Sequence, residues 1–217
     1  MKKRINFKSI QPDLELPHPL PASKMIPEWY RGSKQTVNNV ETIKSCVPFL
    51  DSMISGYMLT LSSDIYIENG VPQDVAKVQT VDGHIDGQLG NLLIPPDYSN
   101  TVLKWMNYFI LKTPKNYSTL FVHPSNRIDL PFYTFSGVVD TDKFPLPVNF
   151  PFLIKKDFVG IIPAGTPIAQ AIPFKREDWS STVEDKEEYK PPHFVYTMHN
   201  PPFKFYKRHF WTRKKYS

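Results

Sequence analysis

Short runs of alternating apolar and polar residues, broken by turn formers, dominate the chain. Such alternation marks strands half-buried on a core. Residues 56–61 and 64–68 are β-branched and aromatic, and they end at Asn69-Gly70, a hairpin signal. Residues 75–81 read as the returning strand, and residues 82–100, with Gly83, Gly87, Gly90 and Pro95-Pro96, as a long loop. Further strands are predicted over 105–111, 117–122, 132–139, 148–154, 158–162 and 168–174, separated by breakers such as Thr113-Pro114-Lys115-Asn116 and Pro163-Ala164-Gly165. Roughly ten short strands at this spacing predict an all-β sandwich or barrel. Helix signals are few. Ser23 can cap a short helix anchored by Trp29, and residues 37–46 suit a helical turn closed by Pro48. Residues 177–190 are charged and fit either a short helix or a solvated loop, and the last fifteen residues suit a final helix. The reading is a single domain: a proline-rich N-terminal arm over 1–47, a β core over 48–176 and a C-terminal extension over 177–217.

Composition sharpens this picture. There are 22 prolines and only 9 glycines, with 41% apolar and 14% aromatic residues. Proline removes a backbone donor and fixes φ, so long helices are disfavoured and stiff turns favoured. Scarce glycine leaves few places for loops that wrap phosphate. Cys46 is the lone cysteine, so no internal disulfide forms and a reducing compartment is expected. No apolar run reaches the ~18 residues of a membrane span or follows the basic start as a signal peptide would, so a soluble, cytoplasmic protein is expected. The net charge of +5 is uneven: Lys204, Lys207, Arg208, Arg213, Lys214 and Lys215 crowd the last seventeen residues, where no carboxylate side chain occurs.

The sharpest chemical candidate is Ser136-Gly137-Val138-Val139-Asp140-Thr141-Asp142. On an extended backbone, carboxylates two residues apart project to the same side. Paired carboxylates can orient a water, act as a general base or bind a cation. They can equally stabilise a turn by accepting bonds from nearby amides. Both readings stay open on the residues alone.

Four pieces of the chain resemble, in order, motifs of the dUTPase and dCTP deaminase superfamily. Ser55-Gly56-Tyr57-Met58-Leu59 is similar to its first motif, Pro124-Ser125-Asn126 to its Pro-Arg-Ser element, Gly137-Val138-Val139-Asp140-Thr141-Asp142 to its third motif, and Gly165-Thr166-Pro167-Ile168-Ala169-Gln170 to its Gly-Asp-Arg-Ile-Ala-Gln element. The resemblance spans residues 55–176, with an insertion over 69–104. It implies a β-clip fold, a homotrimer and pockets between subunits. It also implies Asp140 as the water-orienting base, with Ser125 and Gln170 near phosphates and Asn126, Arg127, Asp142 and Phe144 as further substrate-binding candidates. Magnesium would accompany a bound nucleotide. Met58 stands where the first motif has aspartate, Lys143 where a sugar-packing tyrosine belongs, and no glycine follows Gly165 to form the family's C-terminal lid. Without a lid, water exclusion has no agent. The whole chain also resembles an uncharacterised family of tailed phages and bacteria, which implies a host-cytoplasm or virion setting and supplies no function.

The remaining candidates are weaker. His84-Ile85-Asp86 with His199 could build an iron-type facial triad. His123, Arg127 and Asp129 suit a turn-stabilising group. Cys46 reads as a buried structural thiol. The basic, aromatic tail can hold single-stranded nucleic acid, or dock on the body through a stripe of Phe203, Tyr206, Phe210 and Lys214. The expectation is a non-catalytic binding or structural protein with a degenerate nucleotide-type pocket. An Asp140-dependent nucleotide hydrolase and a virion or assembly component are the alternatives.

Overall fold

The computed structural model describes residues 3–73, 78–84, 88, 90–183 and 205–217. Strands take 33% of the chain and helices 13%, which makes it all-β in class. In chain order the first strands are β1 (Asn6–Ser9), β2 (Leu20–Pro21), β3 (Thr36–Val37), β4 (Val40–Glu41), β5 (Tyr57–Thr60) and β6 (Ile65–Glu68). There follow β7 (Val71–Gln73), β8 (Val81–Gly83), β9 (Leu103–Trp105), β10 (Phe109–Lys112) and β11 (Tyr117–Val122). The last are β12 (Phe132–Thr134), β13 (Gly137–Val139), β14 (Phe150–Ile154), β15 (Gly160–Ile162) and β16 (Pro167–Lys175). The α-helices are short: α1 (Glu28–Gly32), α2 (Val47–Ile54) and α3 (Phe205–His209).

The strands form several small sheets, and among the described residues none closes into a barrel. The largest runs β13-β11-β16-β5-β2, with β11 antiparallel to both β13 and β16 and β16 antiparallel to β5. A second sheet runs β12-β14-β9-β8 and a third β15-β6-β7. The core lies between the first two. Phe121 of β11 meets Phe150 of β14 at 5.2 Å, and Trp105 stacks on Phe152 with centroids 3.5 Å apart while Phe132 packs edge-on to it. These rings are fully buried, and each contributes a large apolar area to the core.

Several predicted strands divide in two. The 105–111 run is broken at Asn107, which bonds Phe109 through both its side-chain amide and carbonyl, so β9 and β10 join different sheets. The 132–139 run likewise splits into β12 and β13, which belong to separate sheets. Apolar alternation continues through such corners, so sequence pattern does not reveal them. The return from Asn69-Gly70 starts at once, with Glu68 paired to Val71, rather than at residue 75; residues 74–77 lie outside the described residues.

The helix readings change more. Residues 37–46 are a β3–β4 hairpin followed by a 3-10 turn, Ile43–Ser45. Asn38 and Asn39 carry the hairpin turn with φ of 48° and 63°, a conformation asparagine tolerates. Pro48 opens α2 instead of closing a turn, because a missing N–H is harmless in a first helical turn. Gly56, at φ +70°, lets the chain pass from α2 into β5 so closely that a Cβ there would lie 2.0 Å from the Ala171 carbonyl oxygen. No helix among the described residues is long and apolar enough to cross a membrane.

Candidate functional site

The end of β13 sets the geometry of the acidic turn. Thr141 points inward, 1% exposed, and its hydroxyl sits 2.8 Å from those of both Thr113 and Thr119. Asp140 and Asp142, flanking it, therefore share the opposite side, as the period-two reading requires. There both meet Arg176, which follows β16. The guanidinium donates to Asp142 Oδ1 at 2.9 Å and Oδ2 at 2.6 Å, to Asp140 Oδ1 at 3.2 Å, and to Ser118 Oγ and the Tyr117 carbonyl. Ser118 Oγ–H donates to Asp140 Oδ1 at 2.7 Å, and the Asn116 N–H to Asp142 Oδ2 at 2.9 Å.

The two carboxylates differ in environment. The Asp142 side chain is 5% exposed and the Asp140 side chain 50%. Arg176, first, and the Asn116 amide hold the Asp142 carboxyl down to about 2, against the opposing effect of burial. The same pairing raises the Arg176 pKa. Among the described residues the bonds to the Asp140 carboxylate go to Oδ1, and the side chain is half-exposed. The Asp140 carbonyl oxygen accepts the N–H groups of Lys143 and Phe144, so Phe144, 39% exposed, stands beside the carboxylates.

A second group of candidates surrounds the end of α2. Gln170 is fully buried: its Oε1 accepts the Ser125 N–H at 2.9 Å, and its Nε2 donates to the Ser52 and Ser55 carbonyls at 2.8 and 2.6 Å. It thereby satisfies carbonyls that a helix C-terminus leaves unpaired. Asn126, with φ 61°, donates to Ser52 Oγ and the Phe49 carbonyl. Arg127 is paired through two nitrogens with Asp129. His123 Nδ1 accepts the Thr134 N–H at 3.2 Å and Nε2 lies 3.1 Å from the Arg127 carbonyl, which fits a neutral ring protonated at Nε2; burial pushes its pKa down.

The seven predicted residues thus fall into two sets. Asp140, Asp142 and Phe144 stand near Ser118 of β11; Ser125, Asn126, Arg127 and Gln170 stand near Val122, which pairs with Gln170. Four residue steps along β11 separate Ser118 from Val122, about 13 Å. Within one chain the sets do not converge. Arg176, which dominates the first, was missed as a site residue. No spacing marks it, since it lies 34 and 36 residues from its partners.

Compared with protein-family models and with curated proteins, the chain matches none. The chemistry therefore rests on the geometry. Asp142 is a clasped, ionised carboxylate with both oxygens engaged, while the half-exposed Asp140 is bonded through Oδ1 alone among the described residues. Among the described residues no three His, Cys, Asp or Glu side chains gather as a metal site would need. His84 Nδ1 lies 3.2 Å from Gln88 Oε1, while Asp86 and His199 lie outside the described residues. Cys46 is exposed, not buried: it precedes α2 beside a groove whose walls include Ile43, Pro48 and Tyr206.

The tail docks on the body, but mainly as extended chain. Among the described tail residues only Phe205–His209 is helical, and Phe203 lies outside them. Asp51 of α2 accepts Trp211 Nε1–H and Lys214 Nζ–H on one oxygen, each at 2.8 Å. Tyr216 then meets Tyr57 edge-on at 6.1 Å.

Proposed function

We propose that the chain is a non-catalytic binding or structural protein of dUTPase-like, β-clip type, whose acidic turn locks a sheet edge instead of activating water. The observation that carries this reading is the Arg176 clasp. A general base needs a free, positioned lone pair, whereas Asp142 spends both oxygens on Arg176 and Asn116, and Asp140 gives one to Ser118 and Arg176. Gln170, the counterpart of a phosphate-side residue, and Asn126, a further substrate-binding candidate, have amides committed to the end of α2.

Assembly as a homotrimer is part of the proposal. Val138, on the edge strand β13, is 61% exposed, and Phe144 and Leu146, which follow it in the chain, are also exposed. Apolar groups beside an unpaired strand edge favour contact with another chain. A phage structural or assembly role would fit the same surface. The second reading, a nucleotide hydrolase with magnesium, is favoured by one observation: the half-exposed carboxylate of Asp140, bonded through Oδ1 alone among the described residues.

Incubation with dUTP or dCTP and magnesium, followed by product analysis, separates the two. No turnover is expected. Turnover that disappears in Asp140→Asn establishes the hydrolase and overturns the proposal. Mass measurement in solution tests the trimer, and a monomer removes it.

A further inference from the structure

The first and last described segments meet in a cleft of about 250 Å³. Three cations, Lys3, Arg4 and Lys215, stand at it together with three tyrosines, Tyr57, Tyr117 and Tyr216. All three cations are exposed, and among the described residues the lining holds no Asp or Glu; Ser217, the last residue, also stands there, its main-chain oxygen accepting the Tyr57 hydroxyl at 3.3 Å. Lys3 Nζ lies over the Tyr117 ring at 5.7 Å, which brings a positive charge directly to an aromatic wall. The two larger grooves lack this chemistry. One, of about 580 Å³, has Glu15 and no lysine or arginine, and the other, of about 520 Å³, has one charge of each sign, Glu41 and Lys207.

Fold, not sequence proximity, builds this cleft. β1 pairs with β10, which carries Lys3 and Arg4 towards Thr113 and Pro114. The Asp51 bonds to Trp211 and Lys214 bring Lys215 and Tyr216 back against Tyr57. Lys214 spends its charge on Asp51, leaving Lys215 to face the cleft.

We infer that this cleft binds one nucleotide unit of a single-stranded nucleic acid, with Lys3, Arg4 and Lys215 on the phosphate and the tyrosine wall against the base. Bases stack on aromatic side chains with little regard to sequence, and lysine and arginine track the backbone. The cleft volume falls just below the ~300–1,000 Å³ of sites that enclose a whole small molecule, which suits one unit of a longer strand. A duplex would present no free base face to the tyrosines. The inference goes beyond the proposed function, and the cleft side chains it tests, Lys3, Arg4, Lys215 and Tyr216, are not those that bond Asp140 or Asp142, so either can fail alone.

Fluorescence anisotropy of a labelled oligothymidine with the full chain tests it. Binding is expected at low salt, weakening as salt rises. The triple variant Lys3→Ala/Arg4→Ala/Lys215→Ala is expected to lose affinity at least tenfold, with a salt slope lower by about 0.7, the value for one phosphate contact on a single strand. A charge-matched control, Lys24→Ala/Lys34→Ala/Lys156→Ala, removes cations that do not line the cleft and is expected to change affinity less than twofold. Tyr216→Leu is expected to weaken binding about tenfold and Tyr216→Phe to restore it. Unchanged melting temperatures establish that each variant is folded. Absence of binding, equal loss in both triple variants, or equal affinity for duplex would overturn the inference.

Discussion

Arg176 and Asp142 form a two-bond ion pair across 34 residues of sequence, with distances of 2.9 and 2.6 Å. The pair ties the end of β16 to the turn that leaves β13, with β11 lying between them in the sheet. Asn116 and Ser118, at the start of β11, bond into the same cluster. Three neighbouring strand ends are held by one guanidinium.

Arg176→Ala should therefore lower the melting temperature by several degrees, since it leaves a nearly buried carboxylate without its cation. Arg176→Lys should recover only part of the loss, because an ammonium cannot make two parallel bonds to one carboxylate. Thermal unfolding at neutral pH checks both. Full stability in Arg176→Ala would remove the lock.

Acid should destabilise the fold in two stages. Burial lowers the His123 pKa below 6.5, so as pH falls through that range the unfolded chain takes up a proton that the folded chain refuses. Stability is then present above the unfolded value and lost on acidification. Asp142, held at about 2 against an ordinary 3.8, adds a second loss as pH falls from near 4 towards 2. Melting curves between about pH 8 and pH 3 check this, and His123→Gln, which keeps one donor and one acceptor, should remove the first stage only.

Gln170 makes a buried three-bond clamp, so Gln170→Leu should cost about 3 kcal/mol by leaving the Ser125 N–H and two helix-end carbonyls unpaired. For a chain of this size that is roughly 6–12 °C in melting temperature. Gln170→Glu should behave differently. A carboxylate facing the Ser52 and Ser55 carbonyls is favoured only when protonated, so this variant should gain stability as pH falls towards 5, opposite to the parent.

Much of this was legible in the sequence, for definable reasons. Apolar, β-branched and aromatic runs between breakers located the strands that became β11, β14 and β16, most of whose residues are buried. Period-two alternation also put Asp140 and Asp142 on one side of the chain. What it missed depends on tertiary contact. Asn107 splits one apolar run between two sheets, and Pro48 starts a helix where a breaker is expected to end one. Arg176 looks like any charge after a strand until β16 pairs with β11 and brings it beside Ser118. Lys3 and Lys215 stand 212 positions apart in number, and only the docked tail gives them a common cleft.

Asp140→Asn separates architecture from catalysis most cleanly. Among the described residues only Oδ1 of Asp140 is bonded, to Ser118 and Arg176, and an asparagine carbonyl oxygen can accept both bonds. The side chain is half-exposed, so loss of its charge is offset by solvent. The variant should therefore melt within about 2 °C of the parent, while Asp142→Asn, which breaks the two-bond pair with Arg176, should fall well below it. If Asp140 instead served as the base for a bound water, Asp140→Asn would abolish turnover while leaving stability untouched. Measuring melting temperature and nucleotide turnover on the same two variants thus gives opposite patterns. A stable, inactive Asp140→Asn beside an active parent would assign the acidic turn to catalysis. Inactivity throughout, with stability lost only in Asp142→Asn, assigns it to holding the strand ends together.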